Sequence, residues 1–267
     1  MENARHETGG TDVQLRFCTI AGPEHAPVIV LIHGARLTRA MWQPQIDALS
    51  TSFRVIAPDL PGHGALADVP FSFDEAITRI AAVIDVVAGG RAIVCGLSLG
   101  GYVALAFGAR HPQRTSALVL SGCAFSFRRW TGRFLGAPYV AISRFVTHTF
   151  SPLLARAEER ALRKNYPAAL ADAIIARGFF YRFYAEISAR MLNFDPLPAL
   201  QACDCPVLLL NGAQDRFFRR HEQSYLHALR HGRLHLIDGA AHLANLDQPE
   251  AYTTALQAFV SEIVAIP

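Results

Sequence analysis

Gly96-Leu97-Ser98-Leu99-Gly100-Gly101 follows the apolar, β-branched run Ala92-Ile93-Val94-Cys95. This hexapeptide is a Gly-x-Ser-x-Gly element between a predicted strand and a predicted helix, and its reading decides the fold. A serine on so tight a strand-to-helix turn takes a strained backbone conformation, and side chains two positions away on either side would collide. Gly96 and Gly100 remove that collision. The Ser98 hydroxyl is then expected at the C-terminal edge of a sheet, with the N-terminus of a helix behind it. A serine placed there is a candidate nucleophile.

Working outward, short β-rich runs alternate with helical patterns. Strands are predicted at Val28 to Ile32, Arg54 to Ala57, Ala92 to Cys95, Ala117 to Leu120, Val207 to Leu210 and Leu234 to Ile237, with a weaker edge strand at Gln14 to Ile20. Most of the six clear runs are nearly continuous in apolar residues, as strands covered on both faces should be. Phe73 to Val87 places Ile77, Ile80, Ala81, Ile84 and Val87 on one helical face. Leu99 to Arg110 is a small-residue helix that can pack close to a sheet, and Pro249 to Val264 is a terminal helix with proline in its first turn. The alternation predicts a parallel sheet with crossover helices.

Roughly Phe125 to Leu200 breaks this alternation. It is helical in composition and rich in aromatics, among them Trp130 and Phe179, and shows no convincing strand. From Cys123 to Leu200 there are eleven Arg/Lys and five Asp/Glu, a net +6 against −3 for the rest. The expected division is therefore an α/β core over 1–122 and 201–267, interrupted by a helical insertion over 123–200.

At 267 residues with 51% hydrophobic and 18% charged positions, the chain can bury a sizeable core and is not disordered. A net charge of +3, without a basic motif, speaks against nucleic-acid binding. The five cysteines are odd in number and scattered, which argues against a disulfide framework; Cys203-Asp-Cys205 lacks a second pair at zinc-site spacing. No metal or cofactor is expected. Met1 to Asp12 has no apolar core of a signal peptide, and no apolar run reaches the ~18 residues needed to span a bilayer. The default expectation is a soluble cytoplasmic protein without a membrane partner, acting on a small molecule; a homodimer is compatible with the sequence.

A serine hydroxyl needs a base to take its proton, and the base needs a third group to hold its tautomer. Asp215, in the loop after the strand ending at Leu210, is the one carboxylate in a natural position; its alternative is a loop or helix-capping aspartate. His242 follows the last strand in Asp238-Gly239-Ala240-Ala241-His242 and is the candidate base, with His221 as competitor among eleven histidines. The order Ser98, Asp215, His242 is one of three familiar triad orders. The oxyanion donors are expected at the Leu99 amide and, in the turn His33-Gly34-Ala35-Arg36, at the Ala35 amide. His33 is better read as bracing that turn than as a second base.

Taken together, His33-Gly34, Trp42, Ala57-Pro58-Asp59-Leu60-Pro61-Gly62-His63-Gly64, Gly96 to Gly101, Gly212 to Asp215 and Gly239 to His242 closely resemble the α/β-hydrolase superfamily across nearly the whole chain. The resemblance implies an α/β-hydrolase fold: an eight-stranded, mostly parallel sheet flanked by helices, with a helical cap inserted after the sixth strand. Asp59 to Gly64 resembles a structural turn of that family. Asn245 and Asp247 to Pro249 stand where the family often has Glu-x-Pro. Serine at the elbow sets the chain apart from relatives resembling dehalogenases and epoxide hydrolases, which carry aspartate there. What remains is cleavage of a carboxylic ester, thioester, lactone or amide through an acyl-enzyme, perhydrolysis, or hydrolysis of a C–C bond beside a carbonyl. Relatives that eliminate pyruvate share Ser-x-Gly-Gly but look for arginine where this chain has Tyr102. A slow-turnover ligand sensor on the same fold is the reading from another class. The insertion's aromatics suggest a small apolar or aromatic ester or lactone as substrate, with Arg36, Trp130 and Phe179 as candidate pocket residues.

Overall fold

The strands sort their side chains between two apolar layers with a period of two. Val28, Val30 and Ile32 join one hydrophobic cluster, while Ile29 and Leu31 join the other. Val207 and Leu209 divide from Leu208 and Leu210 in the same way. Alternate residues of a strand point to opposite faces, so a sheet covered on both sides needs apolar residues at every position. The computed structural model describes residues 15–265, apart from the side chains of 128–134.

Seven strands form one sheet: β1 (Cys18–Ala21), β2 (Val28–Ile32), β3 (Arg54–Pro58), β4 (Ala92–Leu97), β5 (Thr115–Ser121), β6 (Val207–Gly212) and β7 (Gly232–Ile237). Their order is β1-β3-β2-β4-β5-β6-β7, and every pairing is parallel except β1 with β3. The described residues thus hold seven strands, not the eight expected, and the helical insertion follows the fifth of them. The first strand is also shorter than Gln14 to Ile20. Arg16 and Phe17 lie in a turn, where the Phe17 carbonyl accepts from the Asp59 amide at 2.7 Å and from Arg39 Nη1 at 2.9 Å.

The crossover helices in the first half are α1 (Gln43–Leu49), α2 (Phe73–Val87) and α3 (Leu99–Arg110). Helix α2 starts where its cap dictates. The Ser72 hydroxyl accepts the Glu75 amide at 3.0 Å, and Asp74 and Glu75 place negative charge on the first turn. Helix α3 is buried over almost its whole length, because its glycines let it press onto the sheet.

Between β5 and β6 run α4 (Phe127–Asn165), α5 (Ala168–Ile175), α6 (Tyr184–Asn193) and α7 (Pro196–Ala202). The remaining helices are α8 (Glu222–Ala228), α9 (Ala244–Asp247) and α10 (Pro249–Val264). Cys95, Cys123 and Cys203 sit in the hydrophobic clusters. Burial pushes the Cys95 and Cys203 thiols up to about 12, so neither is a nucleophile near neutral pH. Among the described residues no helix is long and apolar enough to cross a membrane.

Candidate active site

Ser98 has φ 56° and ψ −118° between β4 and α3, a combination that costs energy for any residue with a side chain. The neighbouring glycines are what make room for it. A Cβ at Gly96 would overlap the Gly100 carbonyl oxygen, and one at Gly100 would overlap the Ile32 carbonyl oxygen at the end of β2. The collision expected at Gly100 is therefore with the adjacent strand. The Ser98 amide donates to the Ser121 carbonyl at 2.8 Å, and its own carbonyl caps the first turn of α3 through the Gly101 amide at 2.9 Å. The strain is over-determined on both sides.

Asp215 lies beyond β6 and His242 beyond β7. His242 Nδ1 donates to Asp215 Oδ2 at 2.7 Å. The other carboxylate oxygen, Oδ1, accepts the Phe218 amide at 3.2 Å. Asp215 is buried at 6% exposure, so its charge works in a poorly screened setting. The phenyl ring of Phe218 stacks on the imidazole, 4.2 Å between centroids and 25° between planes. Gly122 leaves space on another side of the ring: a Cβ there would stand 3.0 Å from His242 Cε1. Asp247 secures the loop itself, accepting the Ala241 amide at 2.8 Å and the Tyr166 hydroxyl at 2.6 Å.

Two histidines support the turn after β2. His33 Nε2 accepts the Leu60 amide at 2.9 Å, and its Nδ1 donates to the Gly34 carbonyl at 2.7 Å. His63 Nε2 accepts the Arg36 amide at 3.0 Å, and its Nδ1 donates to the Pro61 carbonyl at 3.0 Å. These partners assign the tautomers, since a neutral imidazole offers one donor and one acceptor. Burial lowers the His33 pKa to about 4 and that of His63 to about 3, the latter with a further contribution from His33, so both rings are neutral near pH 7. Below them the Asp59 carboxylate accepts the Arg39 and Ala65 amides at 3.0 and 2.9 Å and pairs with the Arg39 guanidinium. The stretch Asp59 to Gly64 is thus a brace.

In that turn the Gly34 amide goes to Met41 Sδ at 3.5 Å and the Arg36 amide to His63. Among the described residues, the Ala35 amide between them and the Leu99 amide at the start of α3 donate to no protein acceptor. Both line a cavity that contains Ser98. The N-terminal end of α3 adds its partial positive charge at the same place.

Two cavities flank the serine. The larger, about 450 Å³, is lined by Ser98, His242, Ala35 and Arg36 from the sheet side, with Glu158, Tyr166, Phe179 and Tyr184 facing them from the helical segment. The smaller, about 80 Å³, is lined by Leu99, Tyr102, Ile187 and Met191. Ala35, Ser98, Tyr184 and Phe218 belong to both. Ser98, His242, Ala35, Arg36 and Phe179 are brought together here, Leu99 lies on the smaller side, and Asp215 stands behind His242. The Trp130 side chain falls outside the described residues. His221 is placed differently: its Nδ1 accepts the Ser126 amide at 3.0 Å and its ring stacks on Phe125. Tyr102 is buried, its hydroxyl donating to the Phe125 carbonyl at 2.7 Å.

Phe218 and Glu158 carried no signal in the sequence, because they act through contacts that close only in three dimensions; His63 lay in the expected structural turn Asp59 to Gly64 and Asp247 in a family-like stretch, neither with a role of its own.

Comparison with known proteins agrees with this architecture. The profile of the alpha/beta hydrolase family matches residues 29–255. The chain is 30% identical to pimeloyl-(acyl-carrier protein) methyl ester esterase of Neisseria meningitidis serogroup C, over 90% of this chain and 96% of that relative. It is 27% identical to 3-oxoadipate enol-lactonase 1 of Acinetobacter baylyi, over 91% and 92%. Among solved structures, a thermophilic esterase from Thermogutta terrifontis superposes with a TM-score of 0.77 at 23% identity, covering 92% of this chain and 93% of the other. The chain belongs to the alpha/beta hydrolase family.

Proposed function

We propose that the protein is a serine hydrolase that cleaves a small, apolar or aromatic carboxylic ester or lactone through an acyl-enzyme. The observation that carries this reading is the 2.7 Å bond from His242 Nδ1 to Asp215, with His242 and Ser98 lining one cavity. That bond commits Nδ1 as donor and makes Nε2 the basic nitrogen. His242 Nε2 takes the Ser98 proton as Oγ attacks the carbonyl carbon, then returns it to the leaving oxygen. Asp215 holds the tautomer and stabilises the imidazolium formed in between. The Ala35 and Leu99 amides receive the developing oxyanion, each such donor being worth about 10²–10³ in rate. Water then repeats the sequence on the acyl-serine, and Ser98 is released.

The printed names of the relatives, a methyl ester esterase and an enol-lactonase, support an ester or lactone as the bond cleaved. The two cavities support unequal arms: a methyl-sized group fits about 80 Å³, and an acyl or aryl arm fits about 450 Å³. Phe179, Leu162 and Leu243 give the larger cavity an apolar lining. The helices over 123–200 act as the cap that shapes it. The test is turnover of p-nitrophenyl acetate and butyrate. Hydrolysis by the wild type that is abolished in His242→Ala is expected; hydrolysis that survives in His242→Ala would contradict the reading.

A further inference from the structure

Arg36 has φ 69°, the left-handed region that side-chain-bearing residues seldom occupy. Three contacts beyond its own turn hold it there. Its amide donates to His63, its carbonyl accepts the Phe180 amide at 2.9 Å, and its guanidinium pairs with Glu158 of α4. The guanidinium carbon also lies 5.8 Å over the Tyr184 ring.

An arginine without a partner in such a cavity would be a ready receptor for a carboxylate, because its planar fork matches the two oxygens. Here a carboxylate of the protein already occupies it. Apart from His242, Arg36 and Glu158 are the only Arg, Lys, Asp or Glu side chains among the described residues lining the larger cavity, and their charges cancel. Both are half-buried, at 43% and 22% side-chain exposure, so neither is fully screened by water. Burial and the adjacent Glu158 carboxylate hold the Tyr181 hydroxyl well above its usual range, which keeps it neutral beside the pair. A substrate carboxylate approaching Arg36 would have to break the ion pair and then lie against the displaced Glu158. An uncharged arm meets a neutral, partly aromatic wall.

We propose that Glu158 is a specificity-determining residue: by occupying Arg36 it makes the larger cavity accept esters whose long arm ends in an uncharged group and reject those ending in a carboxylate. The inference rests on the ester-hydrolase reading and adds the charge class of the substrate. Removing the negative charge at 158 leaves Arg36 unpaired and reverses the discrimination.

The experiment measures kcat/KM near neutral pH, by acid release, for two matched pairs: methyl pentanoate against monomethyl glutarate, and methyl hexanoate against monomethyl adipate. Two chain lengths cover the unknown reach from Ser98 to Arg36. The wild type is expected to prefer the neutral ester of each pair by about tenfold or more, since like charges brought together across a contact are strongly disfavoured. Glu158→Gln should raise the acid-to-neutral ratio by at least about tenfold in one pair or both. Arg36→Met should lower that ratio below the wild-type value, and the double variant should return toward it. A ratio of two substrates on one sample does not depend on how much of the sample is folded, so a destabilised variant still reports. A ratio in Glu158→Gln that stays at the wild-type value or falls, at both chain lengths, overturns the inference while leaving ester hydrolysis standing. Failure of the wild type to cleave any of the four esters, or p-nitrophenyl acetate, overturns both.

Discussion

The two walls of the larger cavity are built by different means. The sheet wall, carrying Ser98, the His33–Arg36 turn, Asp215 and His242, is held by buried hydrogen bonds, by the buried Asp59–Arg39 ion pair and by glycines pressed against neighbouring backbone. The helical wall packs Leu162, Ile174, Ile187 and Met191 into the apolar clusters and adds ion pairs at its surface, such as Arg144 with Glu186 at 3.2 Å and Arg182 with Asp68 at 2.5 Å. The first kind of contact tolerates almost no change, because each partner sits at a fixed place on a strand end. The surface ion pairs of the helical wall tolerate much, because exposed pairs are screened and contribute little. The wall that carries the proposed chemistry is thus the one with the least room for substitution, and the surface of the wall proposed to meet the substrate has more.

Breaking the sheet wall at Asp215 should have the largest effect. Asp215→Asn keeps the shape but turns the hydrogen bond to His242 Nδ1 into one that favours the wrong tautomer. The kcat for p-nitrophenyl butyrate should fall by about 10⁴-fold with the circular dichroism spectrum unchanged. A loss below tenfold would mean that His242 does not need this partner.

Acid should come next. The unfolded chain takes up protons on its imidazoles below their ordinary pKa of 6.5, whereas the buried rings of His33 and His63 refuse them until about 4 and about 3. Their contribution to stability is present above 6.5 and is lost as the pH falls through that window. Urea unfolding near pH 5 should show roughly 2 kcal/mol less stability per histidine than near pH 7. His63→Gln should remove about half of that slope, and an unchanged slope would show that His63 is not kept neutral by the fold.

Glycine substitutions sharpen the contrast between the walls. At Gly96 a methyl group meets the Gly100 carbonyl, whereas at Gly136 in α4 its nearest neighbour is Leu192 Cδ1 at 3.6 Å, an ordinary contact. Gly96→Ala should destabilise by about 3 kcal/mol or more. Gly136→Ala should be neutral or stabilise by up to about 1 kcal/mol, since alanine restricts the unfolded chain and suits a helix. Thermal melts of both variants check this, and equal losses would erase the distinction. The smallest effect is expected at the helical wall's surface: Arg182→Ala should shift stability by less than about 0.5 kcal/mol.

The sheet wall is also the part that was legible in the sequence. Strand β2 and helices α2, α3 and α10 run between the same residues in sequence and structure, because each carries its boundary signal locally: an unbroken apolar run, the Ser72 cap, the Gly-flanked serine, the Pro249 start. Asp215 and His242 were readable because each follows its own strand. The helical wall offered no such code. Glu158 is one of several charged residues on α4, and nothing near it in the chain announces Arg36. Phe218 looked like any loop phenylalanine, although its ring and its amide hold the imidazole and the carboxylate together. The residue runs numbered seven, as the described sheet does, and eight came only from the resemblance; the edge strand is shorter than its run because Phe17 gives its carbonyl to Asp59 and Arg39.

We propose Ser98 as a nucleophile activated by His242, and covalent labelling by a fluorophosphonate, read as the mass of the intact protein and of its peptides, probes that role at the serine itself. A single stoichiometric adduct is expected on the peptide containing Ser98, absent from Ser98→Ala and formed far more slowly in His242→Ala. Labelling that persists in Ser98→Ala, or that proceeds at the wild-type rate in His242→Ala, would contradict it.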